Sequence, residues 1–184
     1  MFSQMLLVLL SVSVFSAASS LSCRWMDQKF SQHSQASLKL LNTMANNSTN
    51  TTEDTAPEAT VSFPNHLYSQ ASKASAEDKL GFTVQVLEEM VSLLEGGYSS
   101  ASWEENTEEN FLSVVSRQAV GLRSCSHHGH KKNKKLEMYF KRLSSHVLEH
   151  MGHSAEAWEL IRREIQSHLK RVELLENNKH VNLL

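Results

Sequence analysis

Ser75-Ala-Glu-Asp78-Lys-Leu80-Gly-Phe82-Thr-Val84-Gln-Val86-Leu87-Glu-Glu-Met90-Val91-Ser-Leu93-Leu94-Glu-Gly96-Gly97 is the stretch on which the fold turns. Leu80, Val84, Leu87, Val91 and Leu94 recur at spacings of four, three, four and three, which is one stripe of an α-helix. Phe82, Val86, Met90 and Leu93 add a second apolar face, so this helix needs neighbours on two sides. Ser75 with Asp78 three residues later reads as a helix start, and Gly96-Gly97 as its stop. A helix buried in this way implies a bundle.

Outward from it, four more helices follow from the same periodicity. The first runs from about Cys23 to Ala45, with Met26, Phe30, Leu40, Leu41 and Met44 on one stripe. A polar stretch, Asn46 to Ala74, separates it from the central helix, and only Val61, Phe63, Leu67 and Tyr68 there are fit to touch a core. The third helix begins at Ser102, with Glu105 as its capping partner, and carries Trp103, Phe111, Leu112, Val114, Val115 and Leu122 up to Cys125. The fourth spans roughly Lys135 to Met151 and stops at Gly152. The fifth runs from Ser154 to about Leu175 on the stripe Trp158, Ile161, Ile165, Leu169 and Val172. No alternating pattern bounded by turn residues occurs, so the expected class is all-α.

The compartment is read from the N-terminus. Met5 to Phe15 is almost wholly apolar, too short to span a bilayer, and is followed by small residues through Ser22, the layout of a signal peptide over 1–22. Removing 22 of 184 residues leaves 162, enough for one domain over 23–184. In an oxidising compartment Cys23 and Cys125 are expected to pair, closing a loop whose entropy is worth roughly 4–5 kcal/mol. That pairing sets the start of the first helix beside the end of the third, and so beside the start of the second. The first two helices then run parallel, joined by a long crossover, in an up-up-down-down bundle of five helices.

The remaining motifs are weighed against bland readings. Asn46, Asn47 and Asn50 each open an Asn-x-Ser/Thr triplet, and in an exported chain they are candidate glycosylation sites. His127, His128, His130, His146, His150 and His153 lack a third ligand at a recognisable spacing, so no metal or other cofactor is expected. Lys131, Lys132, Lys134 and Lys135 form a basic cluster, read first as a solvated loop and otherwise as a weak glycosaminoglycan contact. A net charge of −2 argues against nucleic acid as a partner. No phosphate loop, nucleophile elbow or paired-cysteine motif points to an enzyme.

Ala157-Trp158-Glu159-Leu160-Ile161-Arg162-Arg163-Glu164-Ile165 resembles the last-helix signature of type I interferons. Phe63-Pro64 is similar to that family's crossover loop, and Cys-Arg-Trp-Met at 23–26 to its N-terminus. With two cysteines the chain resembles the two-cysteine group from bony fish. Four-cysteine members carry a cysteine where Glu156 stands, so the resemblance implies one disulfide and a crossover held less tightly. It also implies a secreted, monomeric antiviral ligand that bridges two different class II cytokine receptor chains without entering a membrane. Helix one, the crossover and the last helix would meet one chain, and helices two to four the other. Arg162, Arg163, Gln166 and Lys170 are then expected on the exposed receptor face, with Trp158, Ile161 and Ile165 in the core. Lys29, His33 and Lys39 are exposed candidates on the first helix only by lying off its stripe. The competing readings are another long-chain helical cytokine, or a secreted carrier wrapping lipid with amphipathic helices.

Overall fold

A computed structural model describes residues 29–44, 61–95, 103–126 and 131–177. The signal-peptide stretch, Cys23, the sequons at Asn46, Asn47 and Asn50, and His127, His128 and His130 lie outside the described residues. All the regular structure described is helical. We label residues 29–44 α1, Asn65–Ser72 α2, Ala76–Glu95 α3, Glu105–Arg123 α4, Lys134–Arg142 α5 and Ala155–Asn177 α6. A π-helical segment, Leu143–Glu149, continues α5.

Burial explains why α3 is central. Leu80 to Leu87 is a run of eight consecutive buried residues, so no side of that half of the helix meets water. Its start is as expected: the Asp78 amide donates to Ser75 Oγ at 3.1 Å, and the Ser75 hydroxyl donates to Asp78 Oδ2 at 2.6 Å. Gln85, buried among the apolar residues, is satisfied by a two-way clamp on the main chain of Asn133. Its Nε2 donates to the Asn133 carbonyl at 3.1 Å, and its Oε1 accepts from the Asn133 amide at 2.8 Å. The Asn133 side chain in turn accepts from the amides of Lys135 and Leu136, capping α5. One buried glutamine thus fixes where α5 begins against α3.

Cross-bundle contacts give the directions. Gln118, late in α4, donates to the Phe30 carbonyl near the start of the described part of α1, while Arg162, early in α6, donates to the Leu41 carbonyl. Thr83, early in α3, donates to Glu176, late in α6. The helices α1 and α3 therefore run one way and α4 and α6 the other, the expected up-up-down-down arrangement, and the Tyr139 hydroxyl of α5 ties that helix to Glu164 of α6.

Four features differ from the sequence reading. The crossover contains a sixth helix, α2, whose Leu67, Tyr68 and Ala71 are buried. Eight residues are too few for a helix to stand alone, and tertiary packing holds them. Next, α4 starts at Glu105 rather than Ser102, and no side chain caps it. Trp103 stands outside the helix and packs edge-on against Trp158, ring centroids 5.7 Å apart, so the chain turns helical only after that contact. The third difference is the π turn, which widens the helix so that the adjacent Val147 and Leu148 both face inward with Leu143. It ends in a Schellman arrangement, His153 amide to Leu148 carbonyl and Gly152 amide to Glu149 carbonyl, with Gly152 at φ +61°. Lastly, the buried stripe of α1 is Phe30, Ser34, Ser37, Leu41 and Met44, and Leu40 is only half-buried.

The crossover is not loose over its second half. Phe63 and Tyr68 stack at 5.5 Å, and the His168 ring lies 4.7 Å from Phe63, 5.0 Å from Phe140 and 5.3 Å from Tyr139. Burial holds the His168 imidazole neutral, its pKa lowered to about 3, and its Nδ1 shares a hydrogen bond of 2.6 Å with the Tyr68 hydroxyl. This aromatic cluster joins α2, α5 and α6 without any cysteine.

Glu108 is the anomaly of the interior. It is buried, Oε1 has no hydrogen-bond partner, and burial, with Glu105 and Glu109 nearby, pushes its pKa up to about 7. Between roughly pH 4.5 and 7 the unfolded chain releases this proton while the folded one keeps it, so stability falls as pH rises through that window. Glu108→Gln is expected to raise the melting temperature at pH 8 and to lose that advantage near pH 4, read by thermal melts across pH.

Candidate functional site

The expected receptor face is built on α6, and the structure divides its four candidate residues. Arg162 does not face solvent: it is 7 % exposed. Its Nε and one terminal nitrogen clasp Glu159 at 2.8 and 2.7 Å, and the other donates to the Leu41 carbonyl at 3.3 Å. Helical geometry explains this, because four residues at 100° each place Arg162 about 40° from Trp158, on the flank of the buried stripe. Arg162 is thus a tie between α6 and the last described turn of α1.

Arg163 is half-exposed and shares the same carboxylate, Nε to Glu159 Oε1 at 3.1 Å. The two guanidiniums hold the Glu159 carboxyl below its usual range, against the opposing effect of burial. One carboxylate against two arginines leaves a net positive charge on this edge. One turn on, Gln166 donates to Asn42 Oδ1 of α1 at 3.0 Å. Lys170 is exposed. Arg171, which sequence reading passed over, is exposed too and donates to Asn65 Oδ1 of α2 at 2.7 Å. The assembled surface is the outer edge of α6 with α1 on one side and α2 on the other, lined by Arg163, Gln166, Lys170, Arg171, Asn42 and Asn65. On α1, Lys39 is exposed, whereas Lys29 and His33 are half-buried, with His33 Nδ1 2.7 Å from the Lys29 carbonyl.

Beneath this edge the family-like residues are core. Trp158, Ile161 and Ile165 are buried, as expected, and so is Ala157. Arg162→Ala is expected to cost about 2–3 kcal/mol in urea unfolding, because it strips a partly buried carboxylate of a bidentate partner and a main-chain carbonyl of its donor. Lys170→Ala should leave stability within about 0.5 kcal/mol.

The other candidates are scattered. Lys131, Lys132, Lys134 and Lys135 are exposed around the start of α5, His146 is exposed on the π segment and His150 just after it. Among the described residues, no group of three or more His, Cys, Asp or Glu side chains is placed to hold a metal ion. None of the described helices is long and apolar enough to cross a membrane.

Residues 26–179 match the interferon alpha/beta domain family. The chain is 36 % identical over 153 residues to interferon a3 of the trout Oncorhynchus mykiss, covering 83 % of this chain and 84 % of that protein. The solved structure of zebrafish interferon 1 superposes with a TM-score of 0.68 at 28 % identity, over 83 % of this chain and 97 % of that one. Zebrafish interferon 2 superposes with a TM-score of 0.57 at 18 % identity, over 77 % and 95 % of the two chains, and shares the fold. With its helical cytokine bundle and the core of its last helix matching that signature, this chain belongs to the type I interferon family of fish.

Proposed function

We propose that the chain is a secreted antiviral cytokine that acts as a monomer, bridging two different class II cytokine receptor chains so that their associated kinases activate transcription factors for antiviral genes. The observation that carries the reading is the exposed cationic edge of α6, flanked by α1 and α2 and standing on a buried Trp158 core. Arg163, Lys170 and Arg171 there suit an acidic receptor surface, arginine offering paired donors to carboxylates. Gln166 and Asn42 add neutral hydrogen-bonding groups. Arg162 takes part only by holding α6 to α1.

The same reading includes cleavage of residues 1–22, a Cys23–Cys125 disulfide, and glycan on Asn46, Asn47 or Asn50. The contact of Gln118 with Phe30 supports the disulfide, since α1 and α4 are antiparallel there and Cys23 precedes Phe30 in sequence by seven residues as Cys125 follows Gln118 by seven. The lysines at 131, 132, 134 and 135 add a weak glycosaminoglycan contact, accessible because all four are exposed.

Cells of a matched species treated with the refolded mature chain are expected to phosphorylate the pathway's transcription factors and to yield less virus. No response in either assay from a folded sample rejects the reading. Lys170→Glu with Arg171→Glu is expected to weaken receptor binding about tenfold or more, as charge reversal at an interface does, with a melting temperature close to the parent's.

A further inference from the structure

Lys131, Lys132, Lys134 and Lys135 all stand exposed, but their backbones are not alike. Lys134 and Lys135 lie in the first turn of α5, under the Asn133 cap. Lys131 and Lys132 precede it in non-helical chain, and the main chain of neither is hydrogen-bonded to another described residue. Asn133, which follows them, has extended torsions, φ −79° and ψ 101°. The other exposed lysines and arginines among the described residues sit in helices or in hydrogen-bonded turns. Lys73, for example, donates its amide to the Gln70 carbonyl, and the Arg123 carbonyl accepts from the Ser126 amide. A protease takes its substrate as an extended strand, so a lysine inside a helix is reached only after turns unwind. At 131–132 only the Gln85 clamp on Asn133 has to open. The cysteines add a second fact. Cys23 and Cys125 both lie before this stretch, so no disulfide within one molecule can span a break in it.

We propose that Lys131-Lys132 is a cleavage site for a trypsin-like serine protease, and that one cut there turns the bundle into a two-piece complex that comes apart on dilution. An acidic S1 pocket takes either lysine. For the bond after Lys132, the oxygen of water joins the Lys132 carbonyl carbon, the bond from that carbon to the Asn133 nitrogen breaks, and both water protons end on the nitrogen. The products are a carboxylate on Lys132 and an ammonium on Asn133, which keeps an N–H for Gln85 Oε1. The second piece, with α5, its π continuation and α6, therefore stays seated through that contact, the Thr83–Glu176 and Arg162–Leu41 hydrogen bonds and the shared core. With no covalent tie its folding is an association, and mass action makes it depend on concentration. In the receptor reading above the cut ends signalling, because the Lys170 edge leaves on the second piece; the cut and the effect of dilution do not depend on that reading.

The test treats the folded mature chain with trypsin at an enzyme ratio low enough for single cuts and maps the products by mass spectrometry. The first cut between residues 29 and 177 is expected after Lys131 or Lys132, about tenfold faster than at any lysine or arginine inside a helix. Lys131→Gln with Lys132→Gln should slow the appearance of the two pieces by about tenfold, and since both side chains are exposed the variant should melt like the parent. The isolated once-cut protein should lose roughly 3–6 °C of melting temperature per tenfold dilution, while the uncut chain holds its own. A first cut inside a helix, unchanged cutting of the double variant, or a cut protein whose melting temperature ignores dilution would each overturn the proposal.

Discussion

Trp158→Ala is expected to cost about 3–5 kcal/mol and to lower the melting temperature by roughly 6–20 °C. The indole is fully buried, and its ring meets Trp103 edge-on and lies 6.4 Å from His153. Its Nε1 has no hydrogen-bond partner in the protein, so truncation forfeits packing and leaves a cavity without breaking a hydrogen bond. Trp158→Phe, which keeps a ring in the site, should therefore recover much of the loss. Trp103→Ala should cost less than Trp158→Ala because that ring is only half-buried. Urea unfolding followed by circular dichroism measures all three. The corresponding loss of signalling should track the folded fraction, returning in Trp158→Ala when the assay is run well below its melting temperature. A loss that persisted in fully folded protein would mean that the indole shapes the receptor edge as well as the core.

Much of this architecture was legible because α3 and α6 state their burial twice, once in apolar spacing and once in capping residues. The π turn was hidden because Leu143, Val147 and Met151 also satisfy an ordinary helical stripe; only the inward Leu148 betrays the extra residue. Helix α2 is too short to form alone and exists because Phe63 and Tyr68 find His168 and Tyr68 finds Phe82, contacts made across 100 residues of chain in the case of Tyr68 and His168. Arg162 was misplaced by residue type: its position on the helical wheel points inward, but an arginine is assigned outward unless its partner is known, and that partner, the Leu41 carbonyl, is 121 residues away. The burial of Glu108 was unreadable for the same reason, since an acid in the first turn of a helix is favoured by the helix dipole whether or not a neighbour covers it. What the sequence conveyed well is local periodicity. What it withheld are the polar groups whose surroundings come from distant chain, and those decide which residues of α6 are free for a partner.

The proposed Cys23–Cys125 disulfide is expected to contribute about 4–5 kcal/mol, the loop-closure entropy of roughly 100 residues, reduced by whatever strain the native geometry imposes. Cys125→Ser, Cys23→Ser and the double variant should all lose the same amount, because either single change already opens the loop, whereas two independent packing contributions would add. Oxidised mature chain should show no titratable thiol, and its peptide map should contain the 23–125 pair. The consequence for function follows from where the bond acts. It would tether the region before α1 to the end of α4, adding to the buried stripe of α1, to the Phe30–Gln118 contact at that end and to Arg162 and Gln166 at the other. Opening it should loosen α1 first, and with it the Asn42 side of the α6 edge, so receptor binding should weaken under reductant before the α3–α6 core unfolds. Amide exchange would show this as early loss of protection in residues 29–44 with Ala76–Glu95 still protected. Two free thiols in secreted, active protein, or a disulfide-linked dimer as the active species, would overturn the assignment.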